Sequence, residues 1–185
     1  MKPNQIQDLY DKVFKLKRIQ RSGWVNHGIV SPESVADHSY ALSILSLSLA
    51  GTLNLNREKV LLMSLLHDLG ESIIGDIITP QNEPEVKLKF EAEVKAIKKV
   101  LGTLDSSDEL IELWLDFEHG RTKEGLFVKE LDKVEMCLQA LAYEKEQGQD
   151  LTEFFVHTEK KLTIPELKDL FKEIESSRPS QKAKS

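Results

Sequence analysis

His67 and Asp68 stand side by side at the end of an apolar run, in LLMSLLHDLGE, and Asp37–His38 lies upstream in ESVADHSYALSIL. An ionised carboxylate is expensive to bury without a partner, so neither pair suits its apolar neighbourhood unless it binds something. A divalent cation removes that cost. Imidazole nitrogen and carboxylate oxygen without thiolate suit Mn²⁺, Co²⁺, Fe²⁺ or Ni²⁺, and Zn²⁺ accepts the same donors. A cation so held acidifies a bound water. Glu71 follows His67 by four residues, one helical turn, so it faces the same side and can orient that water or take its proton. Asp76 follows Gly75, which permits a sharp bend; it either joins the site or caps the next turn.

The elements that carry these residues read as helices. After His38 come Ala41, Leu42, Leu45 and Leu49 at helical spacing, which turns His38 inward. His67 shares a face with Met63 and Val60, and Asp68 is rotated from it by about 100°. Asp132 sits inside a long helix beside the stripe Phe127, Leu131, Val134, Leu138 and Leu141, where aspartate is a poor helix former. His27, His119 and His157 fall in charged loop or helix-end contexts and read as solvated. Helices are expected over 4–19, over 32–51 with Ser31 as N-cap and Pro32 in the first turn, and over 57–69, capped by Asn56 and ended by Gly70. The 32–51 helix, apolar on most sides, is expected at the centre of the fold. A further short helical or irregular turn over 71–78 follows, then helices over 85–101, 106–119, 122–147, 150–160 and 164–177. The segments RSGWVNHGIVS and TPQNEP (79–84) read as loops. The fold class is therefore all-α, one domain over 1–177 with a polar tail over 178–185.

Composition bounds the function. The 185 residues are 40% hydrophobic and 30% charged, an ordinary globular balance, and the net charge of −6 disfavours non-specific nucleic-acid binding. No apolar run approaches the roughly 18 residues of a membrane helix. The first twenty residues carry charges where a signal peptide needs an apolar stretch, so a cytoplasmic location is expected. A single cysteine, Cys137, excludes an intrachain disulfide and a cysteine-based zinc cluster.

A lone His in ESVADHS, a His-Asp pair in HDLGE and a distant Asp in LDK together resemble the HD-domain superfamily of metal-dependent phosphohydrolases. The runs LKRIQRSGW, PESVADHS, HDLGESIIGDI and FVKELDKVEM, spanning about residues 14 to 145, resemble one subgroup of it: the 5′-deoxynucleotidases and HD domain-containing protein 2. The resemblance implies hydrolysis of deoxyribonucleoside 5′-monophosphates, a single divalent transition metal and a homodimer. It assigns the metal to His38, His67, Asp68 and Asp132, catalysis to Glu71, and contact with sugar and water to Asp76. It further implies that Arg21 binds phosphate, with Arg18 as the rival for that role, and that Trp24 crowds the sugar. In bacterial members the Arg and Trp are adjacent; here two residues separate them. Glu33 either orients Arg21 or a ligand, or stabilises the helix dipole from a first-turn position. Two other functions compete: an HD-type phosphodiesterase or nucleoside triphosphate hydrolase, and a metal-stabilised helical module without catalysis. Residues 63–85 contain no Lys or Arg, which leaves little basic surface near the motifs for a triphosphate.

Overall fold

A computed structural model describes residues 3–78, 80, 82–102 and 104–179. Among these the chain forms ten helices and no strand: α1 (Pro3–Leu16), α2 (Ser22–Asn26), α3 (Val35–Ala50), α4 (Arg57–Leu66), α5 (Glu71–Ile74), α6 (Glu83–Leu101), α7 (Ser107–His119), α8 (Lys123–Gln147), α9 (Thr152–Glu159) and α10 (Pro165–Ser176). None of them is long and apolar enough to cross a membrane. An isolated antiparallel bridge joins Gln20 to Ser34, just before α2 and α3.

Polar side chains decide where the helices begin. Asn56 accepts the Lys59 N–H, as expected, and Asn82 and Thr122 cap α6 and α8 in the same way. At α3 the expectation is corrected. Ser31 lies outside the helix with φ of +52°, and Ser34 and Asp37 form a reciprocal capping box that starts α3 at Val35. Glu33 therefore precedes the helix and does not act from its first turn. Within the expected 21–31 loop, α2 forms one helical turn. Gly70 does not end α4 in a left-handed turn: its φ is −61°, the backbone stays right-handed through 67–70 into α5, and the bend comes at Gly75, φ +79°. Glu83 and Pro84, expected in a loop, form the first turn of α6, while residues 79 and 81 of that segment lie outside the described residues.

The start of α3 meets the end of α4, and both pack against α8. Two apolar clusters result. One gathers Leu42, Met63, Phe127, Leu131 and Val134; the other gathers Val35, Leu66, Leu69, Ile97 and Trp114. Each of these side chains adds about 1.5–3 kcal/mol on burial. His38 lies between Val35 and Leu42 on α3, and His67 follows Met63 and Leu66, so the two clusters clamp the histidines between them. The expectation of a central α3, apolar on most sides, holds for one face only. Its inward face is largely small and polar: Ser39 and Ser43 hydroxyls donate to carbonyls one turn back, and Ser46 pairs with Ser64 of α4 at 2.8 Å. Tyr40, Ile44 and Leu47 instead face outward, at 68, 47 and 41% exposure.

At the C-terminal side, Arg178 belongs to the fold and not to a tail. Its guanidinium binds the Glu144 carboxylate (2.7 and 2.9 Å) and lies 4.2 Å over the Phe155 ring. The rest of the expected tail, 180–185, lies outside the described residues. Cys137 is buried, as its apolar neighbours suggest.

Candidate metal centre

Four side chains from three helical segments converge. His38 Nε2 lies 3.0 Å from Asp132 Oδ1 and 3.2 Å from His67 Nε2, and His67 Nε2 lies 3.1 Å from Asp68 Oδ2. The longer separations are 3.9 Å (His38 to Asp68) and 4.0 Å (His67 to Asp132). His38, His67 and Asp132 form a buried group that could hold a cation, and Asp68 stands at its outer edge beside His67.

The backs of the histidines are committed. His38 Nδ1 meets Glu135 Oε2 at 2.6 Å, and His67 Nδ1 meets the Ser64 carbonyl at 2.8 Å. With Nδ1 protonated and donating, each ring turns its Nε2 lone pair to the shared point, the arrangement that fixes a metal-binding tautomer. Phe117 packs edge-on to His67, and the Trp114 Nε1–H donates to the His67 carbonyl at 2.9 Å. Glu135 escaped the sequence reading. It lies one turn after Asp132 on the same face of α8, a spacing the sequence shows, but its burial and its meeting with His38 are set only by packing.

Charge within the group is strongly coupled. Burial and Arg21 oppose protonation of His38, but Asp132 and Glu135 outweigh them and raise it to about 9 in the absence of metal. Burial works against ionised Asp68, yet His67, Arg21 and His38 hold it well below the usual carboxylate range. For Asp132 burial is likewise overcome, by Lys133 and the two histidines. A cluster holding two ionised acids and a proton on His38 suits a cation that would displace that proton.

Glu71 is buried at the start of α5, and its Oε2 has no hydrogen-bond partner. Burial, then Asp68 and Asp76, push its carboxyl up to about 10. An orphaned acid beside a metal site is placed for a water or substrate group. Asp76 lies beyond the Gly75 bend, and its Oδ2 accepts the Ser22 N–H (2.6 Å) while Ser22 Oγ donates to the Asp76 carbonyl (2.7 Å). Asp76 therefore does not cap the turn that follows it: its carboxylate instead holds the first N–H of α2, more than fifty residues away.

The substrate residues divide. Arg21 reaches the centre, with Nη1 2.7 Å from Asp68 Oδ2. Burial opposes its charge but Asp68, Asp132, Asp76 and Glu71 raise its pKa further. Trp24 does not line an open wall. It is 2% exposed, packed on Tyr143 and Phe154, with its Nε1–H on Glu33 Oε1 at 2.8 Å. Glu33 acts at this level too, since its carbonyl accepts the Arg21 N–H and its carboxylate lies near His38 and Glu135. Arg18 is exposed and stacked 4.4 Å over Phe14, without a contact to the centre. His27 bonds the Gly23 carbonyl and Glu153, and His119 packs on Phe90, which keeps both out of the ligand set.

Known proteins resemble this chain throughout. The family model described as HD domain matches residues 13–175. The 5′-deoxynucleotidase HDDC2 of Dictyostelium discoideum is 38% identical over 178 residues, covering 89% of this chain and 93% of that protein. Its human namesake is 36% identical over 170 residues, covering 90% and 82%. Among solved structures, a conserved hypothetical protein from Pyrococcus furiosus superposes with a TM-score of 0.76 at 37% identity, covering 91% of this chain and 98% of that one.

Proposed function

This chain belongs to the HD-domain family, and from that premise we propose that it is a metal-dependent 5′-deoxynucleotidase, hydrolysing nucleoside 5′-monophosphates to nucleoside and phosphate with preference for the deoxy sugar. The observation that carries the reading is the orphaned Glu71 carboxyl near the buried His38, His67 and Asp132 group, in a chain whose relatives bear that activity in their names. His38, His67, Asp68 and Asp132 would hold one divalent transition metal, with Mn²⁺ and Co²⁺ first among the candidates. When bound, the cation supplies the Lewis acidity that activates water and polarises the phosphoryl group.

The chain's own groups do the rest. In the metal-free protein the Glu71 carboxyl holds its proton; a bound cation would favour the ionised form, which would orient the attacking water and accept its proton through the free Oε2. Arg21 spends one nitrogen on Asp68, and the remaining donors of its planar fork take non-bridging phosphate oxygens. Asp76 uses Oδ2 to hold α2, and its Oδ1 meets a sugar hydroxyl or the leaving 5′ oxygen. Trp24 and Glu33 act from beneath, fixing the turn from which Arg21 projects. The exposed stripe of Tyr40, Ile44 and Leu47 on α3 is the surface we assign to a homodimer, which light scattering of wild type against Ile44→Glu would test.

The deciding experiment measures phosphate release by metal-stripped protein reloaded with Mn²⁺, Co²⁺, Mg²⁺ or Zn²⁺. The panel holds deoxy- and ribonucleoside 5′-monophosphates, 3′-monophosphates, a triphosphate and a cyclic nucleotide. Metal-dependent release from the 5′-deoxy monophosphates supports the reading. Activity confined to the triphosphate or cyclic substrate, or none on any of them, overturns it.

A further inference from the structure

The segment 63–85 is free of Lys and Arg, yet tertiary structure brings lysines to the centre from α8 and from the turn after α9. Lys133 Nζ lies 2.5 Å from Asp132 Oδ2, and its side chain is 31% exposed. Lys129, one turn earlier on the same face of α8, donates to the Glu118 carbonyl and lies over the Phe117 ring. Lys161 sits in the α9–α10 turn, which is strapped to α8 at two points. Thr158 Oγ1 meets the Lys133 carbonyl at 3.5 Å, and the buried Glu130 carboxylate accepts the backbone N–H groups of Thr163 and Ile164 (both 2.9 Å) and the Thr163 hydroxyl.

Neutralising Asp132 accounts for Lys133 alone. It does not account for a turn, anchored by a buried glutamate, in which the Lys161 N–H bonds the Thr158 carbonyl and Thr158 in turn meets the Lys133 backbone, bringing a third lysine to this part of α8. Among the described residues Lys161 has no carboxylate within ion-pair distance. Burial, then repulsion from Lys133 and Lys129, lowers its pKa, and Asp132 offsets this in part. The acids that face this group, Asp132 and Glu118, are the one a metal claims and one that burial disposes toward its neutral form. Excess positive charge beside the centre invites an anion. Arg21 binds Asp68 and Lys133 binds Asp132, so cations flank the proposed metal point on two sides.

We propose that Lys133, backed by Lys161 and Lys129, forms a second cationic wall of the substrate pocket, which takes the phosphate dianion together with Arg21. This rests on the phosphomonoester reading above. Asp132 presents Oδ1 to the proposed cation site and keeps Lys133 on Oδ2, so the half-buried ammonium stays beside that site and would offer its remaining N–H groups to a phosphate oxygen. Lys161 and Lys129 act through space and are positioning charges.

The test uses the full chain loaded with Mn²⁺. Calorimetry measures Mn²⁺ affinity and then the affinity of the loaded protein for inorganic phosphate, and steady-state kinetics gives KM and kcat on a deoxynucleoside 5′-monophosphate. Lys161→Gln, a surface change that spares the metal ligands, should weaken phosphate binding and raise KM about three- to fivefold, as expected for one partly screened charge at short range. Its kcat and Mn²⁺ affinity should stay within twofold of wild type. Lys133→Met should weaken phosphate binding tenfold or more, and Lys133→Arg should restore most of it. Lys172→Gln, beyond this group, should change nothing. Unchanged phosphate affinity in both Lys161→Gln and Lys133→Met overturns the proposal, as does a Lys133→Met loss that merely follows lost Mn²⁺. Because phosphate binding is read without turnover, an inactive wild type that still binds phosphate through these lysines would sink the nucleotidase reading and leave this wall standing.

Discussion

Glu135 touches no substrate in this reading, yet replacing it should cripple metal binding. Its Oε2 meets His38 Nδ1 at 2.6 Å, both groups are enclosed, and nothing else accepts that N–H. Hydrogen bonds to a charged partner contribute about 1.5–3 kcal/mol, against about 1 for a neutral one. Glu135→Gln keeps the shape and an accepting oxygen but loses the charge, so about 1.4 kcal/mol, or tenfold in Mn²⁺ affinity, is the expected loss. Glu135→Ala also strands the Nδ1–H and releases the ring to choose the other tautomer. For that variant the loss should approach a hundredfold, the upper end for partners that orient metal-bound histidines. A competitive chelator titration with Mn²⁺ reads the affinities. Glu33 supplies an internal check, since Glu135 helps raise its pKa and removing that charge should let Glu33 ionise more readily. If Glu135→Gln binds Mn²⁺ as tightly as wild type, His38 does not depend on this carboxylate and the account of the tautomer is wrong.

Glu71→Gln should cut turnover by about a hundredfold or more while Mn²⁺ content stays full, and the metal-free variant should melt no lower than wild type, because its buried carboxyl is already neutral at pH 7; normal turnover, or lost metal, would refute the role. His38 is raised from 6.5 to about 9 without metal, so its charge stabilises the metal-free fold fully below about pH 6.5 and that contribution fades as pH rises through 9. Loading Mn²⁺ near pH 7 should accordingly release about one proton, seen as a dependence of calorimetric heat on buffer ionisation, and affinity should climb with pH; heat that does not vary with buffer would count against it. Asp76→Ala removes the acceptor at the start of α2 and should cost about 1–2 kcal/mol in urea unfolding. Its KM should rise while Mn²⁺ affinity holds, and an unaltered urea midpoint would show that this tie holds nothing.

Much of the centre was legible because inward direction is a local property. The spacing of Leu42, Leu45 and Leu49 after His38, and of Val60 and Met63 before His67, says which face of each helix is buried before any partner is known. The resemblance then supplied the pairing, and the structure gathers His38, His67 and Asp132 with Asp68 beside His67. Helix extents were legible for a similar reason, since Asn56 caps the backbone three residues on. The start of α3 was misplaced where two local signals competed, and Asp37 decided for Ser34 by completing the box.

Contacts between distant segments were not legible. Glu135 looks like any charge on a long helix until α3 brings His38 to it across 97 residues. Trp24 stood next to the phosphate residue in the pattern, yet Tyr143 and Phe154 enclose it. The bare stretch 63–85 suggested a centre short of positive charge, while Arg21 and Lys133 reach Asp68 and Asp132 from both sides of the chain. Periodicity tells which side chains point inward. Which of them meet, and at what distance, is set by how α3, α4 and α8 pack, and that depends on side-chain volumes along the whole chain and not on any single segment.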